Sequence, residues 1–135
     1  MDEFMKKIVL SALLLVAPSV LAKEVKVDLP DDGLYRCGVQ MWETVGTRPI
    51  QIADYGRNGY ISIEHRGVSV KYKDVNISFS PTTKTANGYL VSNVQVEDVT
   101  MDLIIGPYQG GIVFAVGSDH SNKSLYFVNC YSTKE

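Results

Sequence analysis

The feature that most constrains this chain is a repeated two-residue alternation of apolar and polar side chains. Successive side chains of a β-strand point to opposite faces of the sheet, so this alternation predicts strands with one buried face. One run places four apolar residues on the same predicted face: Tyr35, Cys37, Val39 and Met41. No segment after Ala22 carries a sustained apolar stripe at helical spacing. The fold is therefore predicted to be all-β.

Turn-forming residues divide the alternating runs into short segments. Asn58-Gly59 predicts a type I′ hairpin, because both residues accept a positive φ. Gly106–Gly111 is interpreted as a wide hairpin loop, and Glu97-Asp98 as a bulge or as the boundary between two strands. Turns recur at spacings of roughly 8–12 residues or less. We expect a small antiparallel β-barrel or sandwich of about eight to ten strands.

Residues Met5–Ala22 have the organisation of a secretory signal. Lys6-Lys7 provides a positive start, and Ile8–Val16 is apolar apart from one serine. Cleavage is expected after Ala22, which makes 1–22 the signal peptide. The apolar run is too short to span a bilayer as a helix. If Met5 is the natural start, Met1–Phe4 is an upstream extension.

The mature part, 23–135, is expected to form a single domain in the periplasm or outside the cell. The chain has a formal net charge of −2, and the charged residues of 1–22 cancel one another. A near-neutral surface argues against nucleic acid, which needs a basic footprint. The first cysteine is Cys37, too far from the signal for a lipid anchor at a cysteine. We expect no stable membrane anchor, and a monomer or weak homodimer.

Cys37 and Cys130 are the two cysteines of the chain. In an exported protein one intramolecular disulfide is the default, and two free thiols are the alternative. Alternation places Cys130 on the same predicted face as Tyr126 and Val128, and Cys37 on the apolar face of its own strand. The bridge would then join the first and last long strands and help to seal a small barrel.

The sequence offers no constellation that predicts catalysis or metal binding. His65 and His120 lack partners at metal-ligand spacing. Asp119, His120 and Ser121 are consecutive in a predicted loop, whereas a hydrolytic triad converges in space. Nothing places two carboxylates across a cleft, as glycoside hydrolysis requires. The carboxylates considered are Glu64, Glu97, Asp98 and Asp102. We predict a non-enzymatic protein with no catalytic residues, no metal and no cofactor.

Aromatic residues near turns are candidates for ligand contact. Trp42 is predicted on the strand face opposite Cys37, while Tyr55, Tyr60 and Tyr108 flank or occupy turns. Exposed aromatic side chains near loops favour contact with a protein or a carbohydrate. The alternative is that they cap the ends of a small barrel core, and the sequence leaves both open.

Two stretches, Gly33–Cys37 and Leu125–Cys130, resemble the periplasmic inhibitors of C-type lysozyme. Members of that family are small exported β-barrels in which a cysteine on the first long strand is bridged to one near the C-terminus. The family's inhibitory loop carries a Ser-Gly-x-Arg/Lys-Tyr motif, followed by a strand with a tryptophan. The nearest stretch here, Thr85–Tyr89, keeps Tyr89 but lacks the arginine and the later tryptophan.

These observations lead to the hypothesis of an exported binding module with a protein partner, such as an envelope or host hydrolase. A rigid scaffold that presents loops loses little entropy on docking. The candidate loops are Ser80–Gly88 and Gly117–Lys123. The candidate partner-binding residues are Lys84, Asn87, Tyr89, Tyr108, His120 and Lys123. The alternatives are a barrel that binds a carbohydrate or small ligand at its mouth, and a fimbrial or surface subunit.

Overall fold

The computed structural model describes residues 27–133, so the predicted signal peptide and its cleavage site lie outside the described residues. Within that range the chain forms ten β-strands and no helix. They are β1 (Gly33–Val45), β2 (Arg48–Asp54), β3 (Gly59–Glu64), β4 (Gly67–Tyr72), β5 (Val75–Phe79), β6 (Thr83–Lys84), β7 (Leu90–Val96), β8 (Val99–Tyr108), β9 (Gly111–Ser118) and β10 (Lys123–Ser132). The all-β prediction is confirmed.

All ten strands belong to one antiparallel sheet. Its order is β5-β4-β3-β1-β10-β9-β8-β7-β6, with β2 paired to β1. The ends of the sheet do not pair as a ladder, but two hydrogen bonds cross between the segments beside them. Ser92 Oγ donates to the Ser80 carbonyl at 2.6 Å, and the Thr82 N–H donates to the Arg66 carbonyl at 3.0 Å. The sheet therefore wraps round without closing, in keeping with the predicted barrel or sandwich.

The Asn58-Gly59 hairpin prediction is wrong. Strands β2 and β3 do not pair with each other; both lie along the same edge of β1, with Gly59 opposite Cys37. A Cβ atom on Gly59 would lie 2.4 Å from Cγ2 of Val39 and 2.8 Å from the ring of Phe127. Glycine is needed here because two strands and a core side chain approach closely, and not because a turn demands a positive φ.

The wide loop predicted at Gly106–Gly111 is also wrong. Strand β8 continues to Tyr108, and the turn consists of Gln109 and Gly110 alone. Pro107 pairs with Ile112 of β9, at a point beyond the end of β7. Because β7 has already ended there, the absence of an N–H group on Pro107 removes no hydrogen bond to a second neighbouring strand. Glu97-Asp98 proves to be a two-residue turn between β7 and β8.

The main core lies inside the wrapped sheet. It draws side chains from strands along the whole sheet order, which shows that the sheet surrounds it. Its buried members are Val27, Cys37, Val39, Ile61, Ile63, Val68, Val70, Tyr72, Phe79, Leu90, Leu103, Ile105, Phe114, Val116 and Phe127. Apart from Val27, which precedes β1, they are alternate residues of their strands, as the period-two pattern predicted for Cys37 and Val39.

A second apolar cluster lies on the opposite side of the sheet; we call it the outer face. Its members are Trp42, Tyr89, Val91, Ile104, Tyr108, Val113, Ala115, Tyr126 and Val128. Residues 91, 104, 115 and 126 lie side by side across four neighbouring strands. The Trp42 and Tyr126 rings stack with centroids 5.3 Å apart. The prediction that Trp42 lies opposite Cys37 is confirmed.

Cys37 and Cys130 form the predicted disulfide, which joins β1 to β10. The predicted neighbours of Cys130 are wrong, however, because Tyr126 and Val128 belong to the outer face while Cys130 packs against the main core. The cause is a β-bulge: Asn129, with φ 53°, is an extra residue opposite Cys37. The extra residue shifts the alternation by one and turns the Cys130 side chain inward.

Candidate binding site

A groove of about 480 Å³ lies at one end of the sheet and is lined by side chains of the described residues. We call it the mouth groove. Its apolar lining includes Met41, Val75, Ile77, Val96, Val99, Met101, Val116 and Leu125, and its polar rim is formed by Glu97, Ser118, Ser121 and Lys123.

The mouth groove is apolar because it is the open end of the main core. Met41 lies opposite Leu125 across the β1–β10 pair, and Leu125 lies opposite Val116 of β9. The side chains of Met41, Ile77 and Leu125 are partly buried, and those of Ile77 and Leu125 pack against the main core. The β4–β5, β7–β8 and β9–β10 turns lie at this end of the sheet. The apolar residues next to these turns remain accessible and line the groove.

The rim carries charges of both signs. Lys123 is exposed and lies opposite Glu43 of β1. Asp119 accepts a hydrogen bond from the Thr100 N–H at 3.3 Å. His120 Nε2 lies 3.8 Å from Asp119 Oδ1, with the histidine side chain 61% exposed. Contacts of this exposed kind contribute little stability, so these side chains remain available to a ligand.

The other end of the sheet holds a smaller groove of about 230 Å³ beside the disulfide. Its lining includes Tyr35, Tyr108, Ile112 and Cys130. Tyr108 and Met101 are seven positions apart on β8, so the two grooves are separated by roughly 20 Å of strand. The two ends cannot act as one site for a small ligand.

The six candidate partner-binding residues fall into two groups at these opposite ends. Lys123 lines the mouth groove and His120 lies in the β9–β10 loop at the same end, whereas Lys84, Asn87, Tyr89 and Tyr108 lie towards the other end. The structure does not bring the six together.

Within the second group the side chains differ in accessibility. The Lys84 ammonium is exposed and lies 4.0 Å from an Asp28 carboxylate oxygen. Asn87 is exposed and accepts a hydrogen bond from Thr85 Oγ1. Tyr89, by contrast, is fully buried, and its ring occupies the space above Gly106 where a side chain would otherwise lie. Tyr89 therefore supports the loop and is not presented to a partner.

Asp102 is a buried carboxylate whose burial its place in the sequence did not predict. It is 0% exposed, and neither carboxylate oxygen has a hydrogen-bond partner among the described residues. Burial raises the pKa of Asp102 to about 6, and the negative charge of Asp119 adds to the shift. Alternation places the Asp102 side chain on the outer face, opposite to Met101 and the mouth groove. The only available signal was its position inside the apolar run Val99–Ile105.

In the described part of the chain, no group of three or more His, Cys, Asp and Glu side chains is placed to hold a metal ion. Asp102 faces away from the mouth groove and has no described acid–base partner in hydrogen-bond contact. What the arrangement can do is remove an apolar group from water at the mouth groove.

Fold and site together define an all-β domain with one disulfide and an apolar groove at one open end of the sheet. Comparisons with protein-family models, with curated proteins and with solved structures found no match to this chain. Among residues 27–133 no helix is long and apolar enough to cross a membrane.

Proposed function

We propose that this chain is an exported, non-enzymatic binding module that holds an apolar group of its ligand in the mouth groove. The observation that carries the proposal is the groove itself, with its apolar floor and its narrow polar rim. Small-molecule sites are typically concave, mostly apolar and about 300–1,000 Å³ in volume, with a few polar groups that fix orientation. The mouth groove has each of these properties.

The scaffold suits binding by a preformed site. The first and last long strands are paired with each other and also joined by the disulfide. A site on such a scaffold has little conformational entropy to lose when a ligand enters. Met41 and Met101 in the lining supply flexible, polarisable side chains that can adapt to ligands of different shape.

Export is supported by two independent features. The disulfide is consistent with an oxidising compartment, and the N-terminal segment has the composition of a secretory signal. A periplasmic or secreted location would bring the mouth groove into contact with envelope components.

The rim favours a ligand with a polar end next to its apolar part. Lys123 supplies a cation, and Ser118 and Ser121 supply hydroxyl groups that donate or accept hydrogen bonds. We therefore expect a short-chain amphiphile to bind with its apolar part among Met41, Met101 and Leu125.

The experiment uses the mature chain Lys23–Glu135, with decanol and decanoate as probes. We expect saturable shifts of the Met41 and Met101 methyl NMR signals with both probes. Met101→Trp, which fills the groove, should abolish binding, while Ile50→Lys on exposed β2 should leave it unchanged. Lys123→Gln should weaken decanoate binding by about two- to fivefold, the scale of one exposed charge contact. Absence of saturation with both probes would refute the proposal.

Inhibition of a cell-wall hydrolase is the second candidate. The observation that favours it is the exposed Lys123 beside the mouth groove, with the exposed His120 nearby, since a cationic side chain such as Lys123 suits the acidic cleft of a glycosidase. The Thr85–Tyr89 stretch offers less, because Tyr89 is buried. A panel of lysozymes assayed with excess mature protein tests this candidate. Inhibition that Lys123→Glu abolishes would support it, and unchanged activity across the panel would remove it.

A further inference from the structure

A row of basic and aromatic side chains crosses the outer side of the sheet from β5 to β10. Neighbours in the row lie directly opposite one another in paired strands, so they share one side of the sheet. The residues next to them along the strands, among them Cys37, Ile61 and Val70, belong to the main core, so the row points away from it. We call it the basic–aromatic row, and its members are Asn76, Lys71, Tyr60, Arg36 and Tyr131.

The basic–aromatic row is accessible to solvent. Tyr131 is 46% exposed. Arg36, Lys71 and Asn76 are exposed as well, and Tyr60 is partly exposed. The row therefore offers a free surface to a ligand.

A groove of about 340 Å³ lies beside the row. Ser62 and Ser69 lie opposite each other in it, and the Ser69 hydroxyl shares a hydrogen bond of 2.9 Å with the Ser78 hydroxyl on the next strand. Because serine side chains are short, the larger side chains next to them form the walls. The lining consists of Leu34, Tyr60, Ser62, Ser69, Lys71 and Asn76.

The positive charges of this surface are not balanced by nearby acids. Arg36, Arg57 and Lys71 make no ion pair with a carboxylate of the described residues. Arg36 Nε donates a hydrogen bond to the Arg57 carbonyl at 2.8 Å, and the Arg57 guanidinium lies 5.3 Å from the centroid of the Tyr131 ring, so Arg57 extends the row. Glu64 is the only acidic residue of β3, β4 and β5, and it lies four positions along β3 from Tyr60.

The row has the length of a platform for an extended polymer. Neighbouring strands are about 4.8 Å apart, so the first and last of its five members are separated by about 19 Å along the sheet. A polymer laid along the row meets a new side chain at each strand. This spacing is close to the length of one sugar unit in a linear glycan.

We propose that the basic–aromatic row binds a linear polysaccharide that carries carboxylate groups. The rings of Tyr60 and Tyr131 can cover the apolar C–H side of sugar rings. The serine hydroxyls and the Asn76 amide donate and accept hydrogen bonds, as sugar hydroxyls require. Arg36 and Arg57 can bind carboxylates through two parallel hydrogen bonds, and Lys71 adds a third positive charge.

A nucleic acid fits the same surface less well. It carries a phosphate on every unit, and its binding depends on many cationic contacts. The row offers three cations, on a protein with a formal net charge of −2. The hydroxyl groups between those cations suit a polymer with uncharged polar groups between its acids.

The proposed glycan site is separate from the mouth groove. Asn76 belongs to the row, whereas its neighbours Val75 and Ile77 line the mouth groove on the other side of the sheet. Occupation of one site therefore does not require occupation of the other.

Isothermal titration of the full chain tests the proposal, with hexagalacturonate as the probe and maltohexaose as its uncharged counterpart. We expect saturable binding of hexagalacturonate that weakens as salt is added, and no binding of maltohexaose. NMR shifts should centre on the amides of Arg36, Tyr60 and Lys71. The amides of Met41 and Met101 in the mouth groove should not shift.

Charge-removing variants locate the site. Lys71→Gln and Arg36→Gln should each weaken binding by about two- to fivefold, and together by more than about fivefold. Lys71 is exposed and has no described ion pair, so its replacement carries little risk to folding. Arg48→Gln is the matched control, because Arg48 is exposed and lies opposite Val45, about 30 Å along β1 from Arg36; binding should be unchanged.

Four results would overturn the inference. They are absence of saturable hexagalacturonate binding, equally tight binding of maltohexaose, equal weakening by Arg48→Gln and Arg36→Gln, and tighter binding of a thymidine hexanucleotide. Met101→Trp, which fills the mouth groove, should leave hexagalacturonate binding intact. Loss of binding in that variant would place the glycan in the mouth groove and also contradict the proposal.

Discussion

Replacement of Asp102 by asparagine tests how much the burial of this carboxyl destabilises the fold. Burial raises the pKa of this carboxyl from 3.8 to about 6. Each pKa unit corresponds to about 1.36 kcal/mol, so the native state loses at most about 3 kcal/mol relative to the unfolded state when Asp102 ionises. The amide of the substituted side chain would occupy nearly the same volume as the carboxyl and carry no charge at any pH in this range.

The direction of the pH dependence follows from the sign of the shift. Below pH 3.8 the carboxyl is protonated in both the native and the unfolded state, and no stability is lost. Between pH 3.8 and about 6 the unfolded state releases its proton first, so the free energy of unfolding falls as the pH rises. Above about pH 6 the loss is complete. Asp102→Asn should therefore match the native protein near pH 3 and exceed it in stability near pH 7.

Urea unfolding of the full chain, followed by Trp42 fluorescence between about pH 3 and 7.5, measures the difference between the two proteins at each pH. Asp98→Asn, at an exposed turn position, is the control for the change of net charge. Asp119→Asn should reduce the effect in part, because Asp119 contributes to the shift. A difference between native protein and Asp102→Asn that does not change with pH would refute the reasoning.

Two further predictions concern the scaffold. Replacing both Cys37 and Cys130 by alanine removes a disulfide between residues that are 93 positions apart. The loop-closure estimate predicts that the free energy of unfolding falls by about 4–5 kcal/mol, which urea unfolding can measure. A fall of less than about 1 kcal/mol would contradict this estimate. Gly59→Ala should destabilise the fold by about 1–3 kcal/mol or more, because the added Cβ would lie 2.8 Å from the Phe127 ring. Gly38→Ala, whose Cβ would meet only ordinary contacts at 3.5 Å, is its control, and equal melting temperatures for the two variants would disprove the explanation.

Much of the architecture was predictable because it depends on local rules. Alternation at Tyr35, Cys37 and Val39 predicted which side chains enter the main core, since a strand has a side-chain period of two. The cysteine pair was predictable because an exported chain with two cysteines has one way to bridge them internally.

The candidate sites depended on contacts between residues far apart in the chain. The sequence predicted Gly59 to be a turn residue, but the side chains of Phe127 and Val39 occupy the space where its Cβ would lie. Asn129 reversed the alternation at Cys130, because the extra residue of a bulge is defined only by the partner strand. No pattern within β8 alone could show that Asp102 would be buried.

Local chemistry along the chain decided most of the strands and the existence of one sulfur–sulfur link, because the side-chain alternation of a regular strand depends on neighbouring residues. Tertiary structure decided which strands pair, where the sheet remains open, and which apolar residues are left over on its outer side. The physical reason is that burial is a property of surfaces assembled from distant segments. The mouth groove joins residues 41, 77, 101 and 125, whose proximity exists only once the sheet has wrapped around its core.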